Sequence, residues 1–337
     1  MGQATRISAR IRALRTIAAL PGVFALVLFV FLPGSLSAAI AFDELKELAP
    51  FLEVPLPLSL PAAPAFPARP LRIYFLDVGQ GDSAFIELPN GRNVLIDGGP
   101  SRSKTGGLAK FLSDHRVTRI DNVVMTHPHA DHYTGLKYVF SGIPVTNFYD
   151  TRLDNTGTAA DEALRAQVKA LGVNTVYPAP GDMLDWDPAE VRVKTLNSCP
   201  KPQKSGDGEV INNCSIVLKL TYQHTSMLLT GDMQDDVERT LVDRYGSELK
   251  ADLLKVGHHG SRYSSGDIFL SAVRPTHTVI SVGEHNTYGH PTADCISRIR
   301  TTGATIHRTD TDGAMTYTVN ADSAVFSSLS ELFALRY

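Results

Sequence analysis

Cysteine is scarce in this sequence, and the cysteines present do not form a zinc-binding pattern. Among 337 residues only Cys199, Cys214 and Cys295 are cysteines, and their spacing excludes a zinc ribbon. In an oxidising compartment Cys199 and Cys214 could close a short surface loop as a disulfide, which leaves Cys295 over. The alternative is three unpaired, mostly buried thiols.

An excess of positive charge is also missing. The formal net charge is −3, and it becomes −7 without the four arginines before residue 42, because no acidic residue precedes that position. A mildly acidic protein disfavours a globally basic surface for nucleic acid, although bound metal ions would still make a site positive. No internal repeat is present, and the length suits one large domain of about 250 residues.

The first 41 residues have the three-part layout of a secretory signal. Four arginines precede an apolar core at residues 23–32, and Pro33-Gly34 and small residues then lead to Ala41. This layout predicts a signal peptide over residues 1–41 that is cleaved after Ala41, with an uncleaved membrane anchor as the alternative. Both predict an exported protein, periplasmic or extracellular, that meets the membrane only through an uncleaved N-terminal segment.

The remaining chain divides into a linker, a domain and a tail. Seven prolines between residues 50 and 70 predict a proline-rich, semi-rigid linker over residues 42–70. We place the folded domain at residues 71–325 and a C-terminal tail at residues 326–337. Within the domain, short apolar runs bounded by glycine-rich turns predict strands, among them residues 93–96. Apolar positions at helical spacing predict helices, among them residues 106–115, 161–171 and 292–300.

The metal-binding chemistry is concentrated in residues 123–136, which read VVMTHPHADHYTGL. An apolar run that predicts a buried strand is followed by four potential ligands, His127, His129, Asp131 and His132. Imidazole and carboxylate suit zinc, manganese or iron(II). In an extended segment His127, His129 and Asp131 point to one side, and His132 then requires a turn. The loop therefore predicts His127 and His129 on one metal, and Asp131 and His132 on a second.

Three further carboxylates lie at predicted strand ends. Asp77 follows the first strand, Asp82 precedes the second, and Asp97 follows the third. Each could cap a turn through a local hydrogen bond. Each could instead orient one of the ligand histidines, as carboxylates beside metal sites do.

The His-x-His-x-Asp-His pattern of residues 127–132 resembles the signature of the metallo-β-lactamase superfamily. Further motifs resemble, in the same order, those of the extracytoplasmic hydrolase domain of ComEC-type DNA-uptake proteins. They lie at residues 77–83, 212–215, 231–232, 258–261, 286–291 and 309–313. The resemblance implies an α+β fold, a four-layer αββα sandwich with metals at one edge of its sheets. It also implies a phosphodiesterase or nuclease that uses two divalent metal ions, zinc or manganese.

The resemblance assigns roles to residues beyond the first loop. Asp232 would bridge the two metals, and a histidine after the next strand would complete the second site. We choose His258, which follows that strand most directly; His259 would then hydrogen-bond nearby or contact substrate, and swapped roles remain open. Other motif residues would support the ligands or contact substrate; they are Gln80, Asn213, Ser215, Ser261, Asn286 and Tyr288.

One departure from the wider superfamily concerns the first metal. Many members carry another histidine ligand between the first loop and the bridging aspartate, but here residues 212–215 read Asn-Asn-Cys-Ser. The first metal would then be held by His127, His129, Asp232 and an amide or a water. Such a site would be weakly occupied or would favour a harder ion such as manganese.

The expected reaction is hydrolysis of a phosphodiester in DNA by a hydroxide generated on the metals. Asp131 would act as a ligand and orient the attacking water, and His290 would position the substrate or protonate the leaving group. The alternatives are a hydrolase of a small ester, lactone or β-lactam, which the acidic charge favours, and a non-catalytic binding module. Nucleic acid is the expected partner, and no protein partner is implied. Four basic residues could meet phosphate, although each is expected to be an ordinary solvated side chain; they are Arg102, Lys104, Lys255 and Arg262.

Overall fold

The computed structural model describes residues 69–100 and 106–328. The signal peptide or anchor predicted for residues 1–41 lies outside the described residues, as do residues 42–68 of the predicted linker and residues 329–337 of the predicted tail. Within the described ranges, no helix is both long and apolar enough to cross a membrane.

Strands and short helices alternate along the domain. In chain order the strands are β1 (Leu71–Phe75), β2 (Ala84–Glu87), β3 (Asn93–Ile96), β4 (Ile120–Val124), β5 (Val145–Tyr149), β6 (Leu153–Asn155), β7 (Asn174–Val176), β8 (Val191–Asn197), β9 (Gln203–Ser205), β10 (Val217–Tyr222), β11 (Thr225–Leu229), β12 (Leu253–Lys255), β13 (His277–Ile280), β14 (Thr305–Arg308), β15 (Met315–Val319) and β16 (Ala324–Ser328). The helices are α1 (Gly107–Asp114), α2 (Ala130–Tyr133), α3 (Leu136–Gly142), α4 (Ala160–Ala170), α5 (Gly208–Asn213), α6 (Asp235–Tyr245), α7 (Asp267–Val273), α8 (Ala293–Thr301) and α9 (Thr309–Asp312).

The strands form two large mixed sheets and one small sheet. The first has the order β16-β15-β1-β2-β3-β4-β5-β7, and the second has the order β14-β13-β12-β11-β10-β8. In each of them, one half pairs antiparallel and the other half pairs parallel. Strands β6 and β9 pair separately.

Strand β1 shows why the sheets are covered on both faces. Its side chains alternate in direction, because successive residues of a strand point to opposite faces. Ile73 and Phe75 join the core between the two sheets, whereas Tyr74 packs with Phe111 and Leu112 of α1 on the outer face. A strand buried on both faces is apolar at nearly every position, as β1 is.

The second sheet is covered in the same way by other helices. Leu228 of β11 and Leu254 of β12 pack on their outer face with Leu241 of α6, Leu270 of α7 and Ile299 of α8. The layers therefore run helix, sheet, sheet, helix. The predicted α+β fold, a four-layer αββα sandwich, is confirmed.

Most predicted elements are present, and the differences concern short segments and the C-terminal end of the domain. Strand β16 pairs with β15 from Ala324 to Ser328, so the domain extends past the predicted boundary at residue 325. Phe326 packs against the core, which gives this strand an apolar contact that a free tail would lack. The short pair β6–β9 and the helices α2, α3, α5, α7 and α9 were not predicted, because segments of three to seven residues carry little periodicity.

The carboxyl ends of several parallel strands meet at one edge of the sandwich. Strands β3 and β4 of the first sheet and β11, β12 and β13 of the second all end there. Their following loops carry most of the residues singled out for metal chemistry. The fold thus brings together segments that are more than a hundred residues apart in sequence.

Candidate metal centre

The ligand loop after β4 changes from extended to helical at His129. His129 has extended backbone angles, φ −96° and ψ 146°, and α2 begins at the next residue. Asp131 and His132 therefore project from a helical turn. The expectation of an extended segment running through Asp131 is wrong, although the turn expected at His132 is present.

Two loops of the first sheet hold the ligand loop through its backbone. The Asp82 amide donates a hydrogen bond to the Asp131 carbonyl at 3.2 Å, and the Gly98 amide donates one to the His132 carbonyl at 2.6 Å. A side chain at Gly81 would lie 2.2 Å from the Asp131 carbonyl oxygen. Glycine is therefore required at position 81 for this close approach.

One carboxylate oxygen, Asp232 Oδ2, lies among four imidazole nitrogens. It is 3.2 Å from His132 Nε2 and 3.3 Å from His259 Nε2. It is also 3.9 Å from His127 Nε2 and 4.0 Å from His258 Nε2. Asp232 follows β11 of the second sheet, so it joins the ligands of the two sheets at one point.

The first group of possible ligands consists of His127, His132 and Asp232. Their ligand atoms all lie within 4.8 Å of one another, and all three residues are buried. His129 stands beside this group, with its Nδ1 3.0 Å from His127 Nε2. The expected pairing of His127 with His129 and Asp232 is compatible with this geometry.

A second group contains Asp131, His132 and His259, again with ligand atoms within 4.8 Å. The choice of His258 for this position is corrected by the geometry in favour of His259. Both histidines have left-handed backbone angles, φ 46° and 53°, in the turn Gly257–Gly260. This turn directs His259 inward, where its Nδ1 meets the Ser281 carbonyl at 2.8 Å and its Nε2 lies 3.3 Å from Asp131.

The strand-end carboxylates Asp97 and Asp77 have different surroundings. Asp97 Oδ2 accepts hydrogen bonds from His132 Nδ1 at 2.8 Å and from the Thr126 hydroxyl at 2.7 Å. This contact leaves His132 Nε2 free to face the centre, as expected of a carboxylate that orients a ligand. Asp77 is exposed and accepts from the Gly79 amide at 3.2 Å, so it caps a turn instead.

Beneath the centre, Asp82 forms a buried ion pair with Lys255. Lys255 is 4% exposed, and its ammonium also donates to the Gly231 carbonyl at 3.1 Å and lies 3.9 Å from Asp232 Oδ1. Asp82 in turn reaches His259 Nδ1 at 3.3 Å. The expectation that Lys255 is a solvated side chain is wrong, since this lysine neutralises a carboxylate inside the protein.

The residues present fit divalent cations. Within the described residues, several buried polar atoms at the centre have no hydrogen-bond partner; they are Asp82 Oδ1, His132 Nε2, Asn212 Oδ1, Asp232 Oδ1 and His259 Nε2. Buried polar atoms are rarely left unpaired in proteins. Their imidazole and carboxylate chemistry is that of zinc and manganese ligands.

Electrostatics at the centre depend on the balance of burial and charge. Burial alone would lower the pKa of His132, but the charges of Asp232 and Asp97 raise it well above its ordinary value. Burial likewise opposes protonation of His259, whose pKa Asp232 and Asp82 raise well above the ordinary value. Without metals, these carboxylates favour protonation of both imidazoles, and a metal must displace the protons to bind.

Comparison with known proteins identifies the family. A family model described as the metallo-beta-lactamase superfamily matches residues 76–285, which is more than half of the chain. The chain belongs to the metallo-β-lactamase superfamily. Membership implies a metal-dependent hydrolase that binds divalent metals, and the two groups around Asp232 are the candidate ligands in this metallo-β-lactamase domain.

Relatives among curated proteins include ComEC-type competence proteins, as the motifs predicted. "Competence protein ComA" of Neisseria gonorrhoeae is 30% identical over 255 residues, covering 75% of this chain and 33% of that protein. "ComE operon protein 3" of Bacillus subtilis (strain 168) is 28% identical over 268 residues, covering 75% of this chain and 33% of that protein. The chain thus spans about a third of the length of these relatives.

Residues 212–215 stand where many superfamily members carry another histidine. Ser215 is buried, its hydroxyl lies 3.3 Å from His127 Nδ1, and it accepts a hydrogen bond from the Asp232 amide at 3.0 Å. Asn213 accepts from the Gln234 amide at 2.9 Å. Asn212 contacts His129. Cys214, which follows Asn213, forms a disulfide with Cys199, and this confirms the pairing considered from the sequence. Cys295 is buried and free.

The residues expected to meet substrate line the centre less directly. Asn286 accepts from the His290 amide at 3.0 Å and donates to the His290 carbonyl at 2.6 Å, so it holds its own loop. The Gly283 amide, near the start of that loop, donates to Gln80 at 3.2 Å. Tyr288 is 68% exposed, and its ring stacks 5.9 Å from that of His290.

Two other motif residues, His258 and Ser261, lie in and directly after the turn Gly257–Gly260. Ser261 is buried and accepts a hydrogen bond from the Tyr263 amide at 3.3 Å, which closes the turn after the histidines. His258 is partly exposed, and its ring centroid lies 5.3 Å from that of His290. His258 and His290 are therefore neighbouring, partly exposed histidines beside the metal centre.

Sequence reasoning missed the contributions of Lys255 and Asn212. A lysine at the end of an apolar strand, beside two histidines, could have indicated a buried cation, because β12 is buried at every position. Asn212 belongs to the motif at residues 212–215, but no pattern distinguishes its buried amide from that of Asn213.

Proposed function

We propose that this chain is an exported phosphodiesterase or nuclease that acts on DNA with two divalent metal ions. One observation supports it above all: Asp232 Oδ2 lies between the two ligand groups, within 3.9 Å of His127, His132 and His259. A shared carboxylate between two ligand groups is suited to a two-metal site, and such sites are common in phosphatases and nucleases. Its likeness to competence proteins supports DNA as the substrate class.

His127 and His129 with Asp232 would hold the first metal, and Asp131, His132 and His259 with Asp232 would hold the second. The metals, when bound, would supply an activated water and neutralise charge on the phosphate oxygens. We assign zinc or manganese, since imidazole suits both and the carboxylates suit manganese.

Asn212 is our candidate for the amide that takes the place of the missing histidine. Its side chain is 4% exposed, contacts His129, and presents an Oδ1 without a hydrogen-bond partner among the described residues. An amide oxygen is a harder ligand than imidazole. The first site would therefore favour manganese more than the usual histidine set does.

His290 would position the substrate rather than protonate the leaving group. Burial, together with the charges of His258 and His259, lowers the pKa of His290 to about 4. At neutral pH the ring is therefore neutral, and it can donate a hydrogen bond to the leaving oxygen but holds no acidic proton to transfer. Asp131, with its carboxylate partly exposed at 28%, would orient the attacking water.

The test is cleavage of single-stranded and duplex DNA by the 337-residue chain with manganese, zinc or a chelator. We expect metal-dependent cleavage that falls by more than about a hundredfold in the Asp131→Ala/His132→Ala variant. This variant removes two ligands of the second metal, and the loss of a contact that only supports a ligand already costs about 10–100-fold. His285→Ala serves as the matched control, since this loop histidine is 90% exposed. Stoichiometric metal with no DNA cleavage, alongside turnover of a lactone or β-lactam, would overturn the proposal in favour of a small-molecule hydrolase.

A further inference from the structure

An arginine-lined cleft lies at the opposite edge of the first sheet from the metal centre. Its volume is about 380 Å³, and it is bordered by the start of β1, the end of β2 and the turn after it, and the segments that lead into β3 and β4. Five arginines line it; they are Arg69, Arg72, Arg92, Arg116 and Arg119. The metal ligands follow the other ends of these strands, roughly 15 Å away by strand length.

Acidic side chains neutralise only two of these five guanidinium groups. Arg72 pairs with Glu87 at 3.3 Å, and Arg119 pairs with Asp121 at 2.7 Å. Among the described residues, Glu87 is the one acidic residue that lines the cleft. The cleft therefore carries an excess of positive charge in a chain whose formal net charge is −3.

The other three arginines have no ion-pair partner in the described part of the chain. Arg92 donates to the carbonyl oxygens of Asp185 and Trp186 at 3.3 and 3.4 Å, which fixes its position without cancelling its charge. Arg69 and Arg116 are exposed. Two exposed guanidinium groups beside a fixed one can converge on a single anion.

The chemistry of the lining points to a phosphate-bearing ligand. Guanidinium presents a planar fork of donors that matches phosphate oxygens, and no lysine of residues 69–100 or 106–328 lines the cleft. The concave shape suits a discrete group more than a flat membrane surface. Ring stacking of His115 on Phe111, with centroids 3.9 Å apart, stiffens one wall of the cleft.

We propose that this cleft binds a phosphate group of a nucleic-acid strand, as a contact separate from the metal centre. This inference rests on the proposed function for the identity of its ligand. A strand held at both edges of the sheet would have to be several nucleotides long. The cleft would then contribute to the affinity for long substrates and would not contribute to hydrolysis of a minimal phosphodiester.

The test measures the anisotropy of a labelled single-stranded oligonucleotide with the 337-residue chain in chelator, over a range of salt. The Arg69→Gln/Arg116→Gln variant should bind several-fold more weakly at low salt. The slope of log affinity against log salt should fall in magnitude by about 0.7, because the loss of one phosphate contact on a single strand contributes about that much. The matched control is Arg192→Gln/Arg300→Gln, which removes the same charge from exposed arginines outside the cleft and should keep the wild-type slope.

Parallel arms separate the competing outcomes. Metal-dependent hydrolysis of a minimal phosphodiester should be equal in wild type and the cleft variant, and its absence would count against the proposed function alone. If the cleft variant has the oligonucleotide affinity and the salt slope of the wild type, the cleft proposal alone is overturned. Inorganic phosphate that binds as tightly as the oligonucleotide would also overturn it, in favour of a free-phosphate site. If the variant binds only anionic phospholipid vesicles more weakly than the wild type does, the proposal is overturned in favour of a site for lipid headgroups.

Discussion

At the scale of single residues, two adjacent histidines, His258 and His259, compete for the role of ligand to the second metal. Both follow β12 and differ by one position, yet only His259 shares a group of close ligand atoms with Asp131 and His132. Its Nδ1 is held by the Ser281 carbonyl, which directs Nε2 to the centre. Such an outer contact fixes ring orientation in metal sites.

We therefore predict that His259→Ala lowers metal affinity by at least about tenfold more than His258→Ala does. Removal of a side chain that binds the metal costs more affinity than removal of a neighbouring histidine. A competition titration with a chromophoric chelator measures this, with the exposed His285→Ala as control. Equal losses in the two variants, or the larger loss in His258→Ala, would restore the assignment made from the sequence.

At the scale of secondary structure, β12 delivers a buried cation as well as the histidine turn. Lys255 ends this strand and pairs with Asp82, a carboxylate that is 7% exposed. Burial would raise the pKa of Asp82, but the charges of Lys255 and His259 lower it below its ordinary value. The strand thus stabilises an ionised carboxylate under the metal ligands.

Lys255→Met should lower the free energy of unfolding by about 3–5 kcal/mol, because it leaves Asp82 buried without its counter-charge. Denaturant unfolding measures the change. Lys204→Met is the matched control, since Lys204 is 67% exposed and pairs with Asp154 at 3.6 Å, an exposed pair worth less than about 1 kcal/mol. A loss below about 1 kcal/mol in Lys255→Met would contradict the role given to this ion pair.

At the scale of the whole molecule, the metal centre joins the two sheets of the metallo-β-lactamase sandwich. His127, His129, Asp131 and His132 come from the first sheet, whereas Asp232 and His259 come from the second. Metal that binds only when both sheets are in place stabilises the folded domain as a unit. Chelation should then loosen the junction between the sheets.

We predict that saturating metal raises the free energy of unfolding by about 4 kcal/mol at a thousandfold excess over Kd. The gain should shrink as pH falls, because the raised pKa values of His132 and His259 make protons compete with the metal. Thermal unfolding with metal or chelator at several pH values measures it. The Asp131→Ala/His132→Ala variant should show a smaller gain, because it removes two ligands of the second metal, and a gain independent of pH in the wild type would contradict the proton competition.

Much of this protein could be predicted from local patterns in its sequence. Strand β3 was predicted at its observed bounds, and the helices α1, α4 and α8 within one residue, because their apolar residues recur at the spacing of a buried face. The ligand motif at residues 127–132 was recognisable, since imidazole and carboxylate groups at such close spacing are typical of a metal-binding loop. The role of Asp232 was implied by the resemblance to the family.

Tertiary structure alone decided how those residues are used. The left-handed turn Gly257–Gly260 turned His259 inward, Asp97 met a ligand histidine while Asp77 capped a turn, and Lys255 became a buried ion-pair partner. Local sequence specifies residue type and periodicity, which suffices for strands, helices and ligand candidates. The direction of a side chain after a strand, and the charge it meets, depend on segments that are distant in sequence, and only the packed fold brings those together.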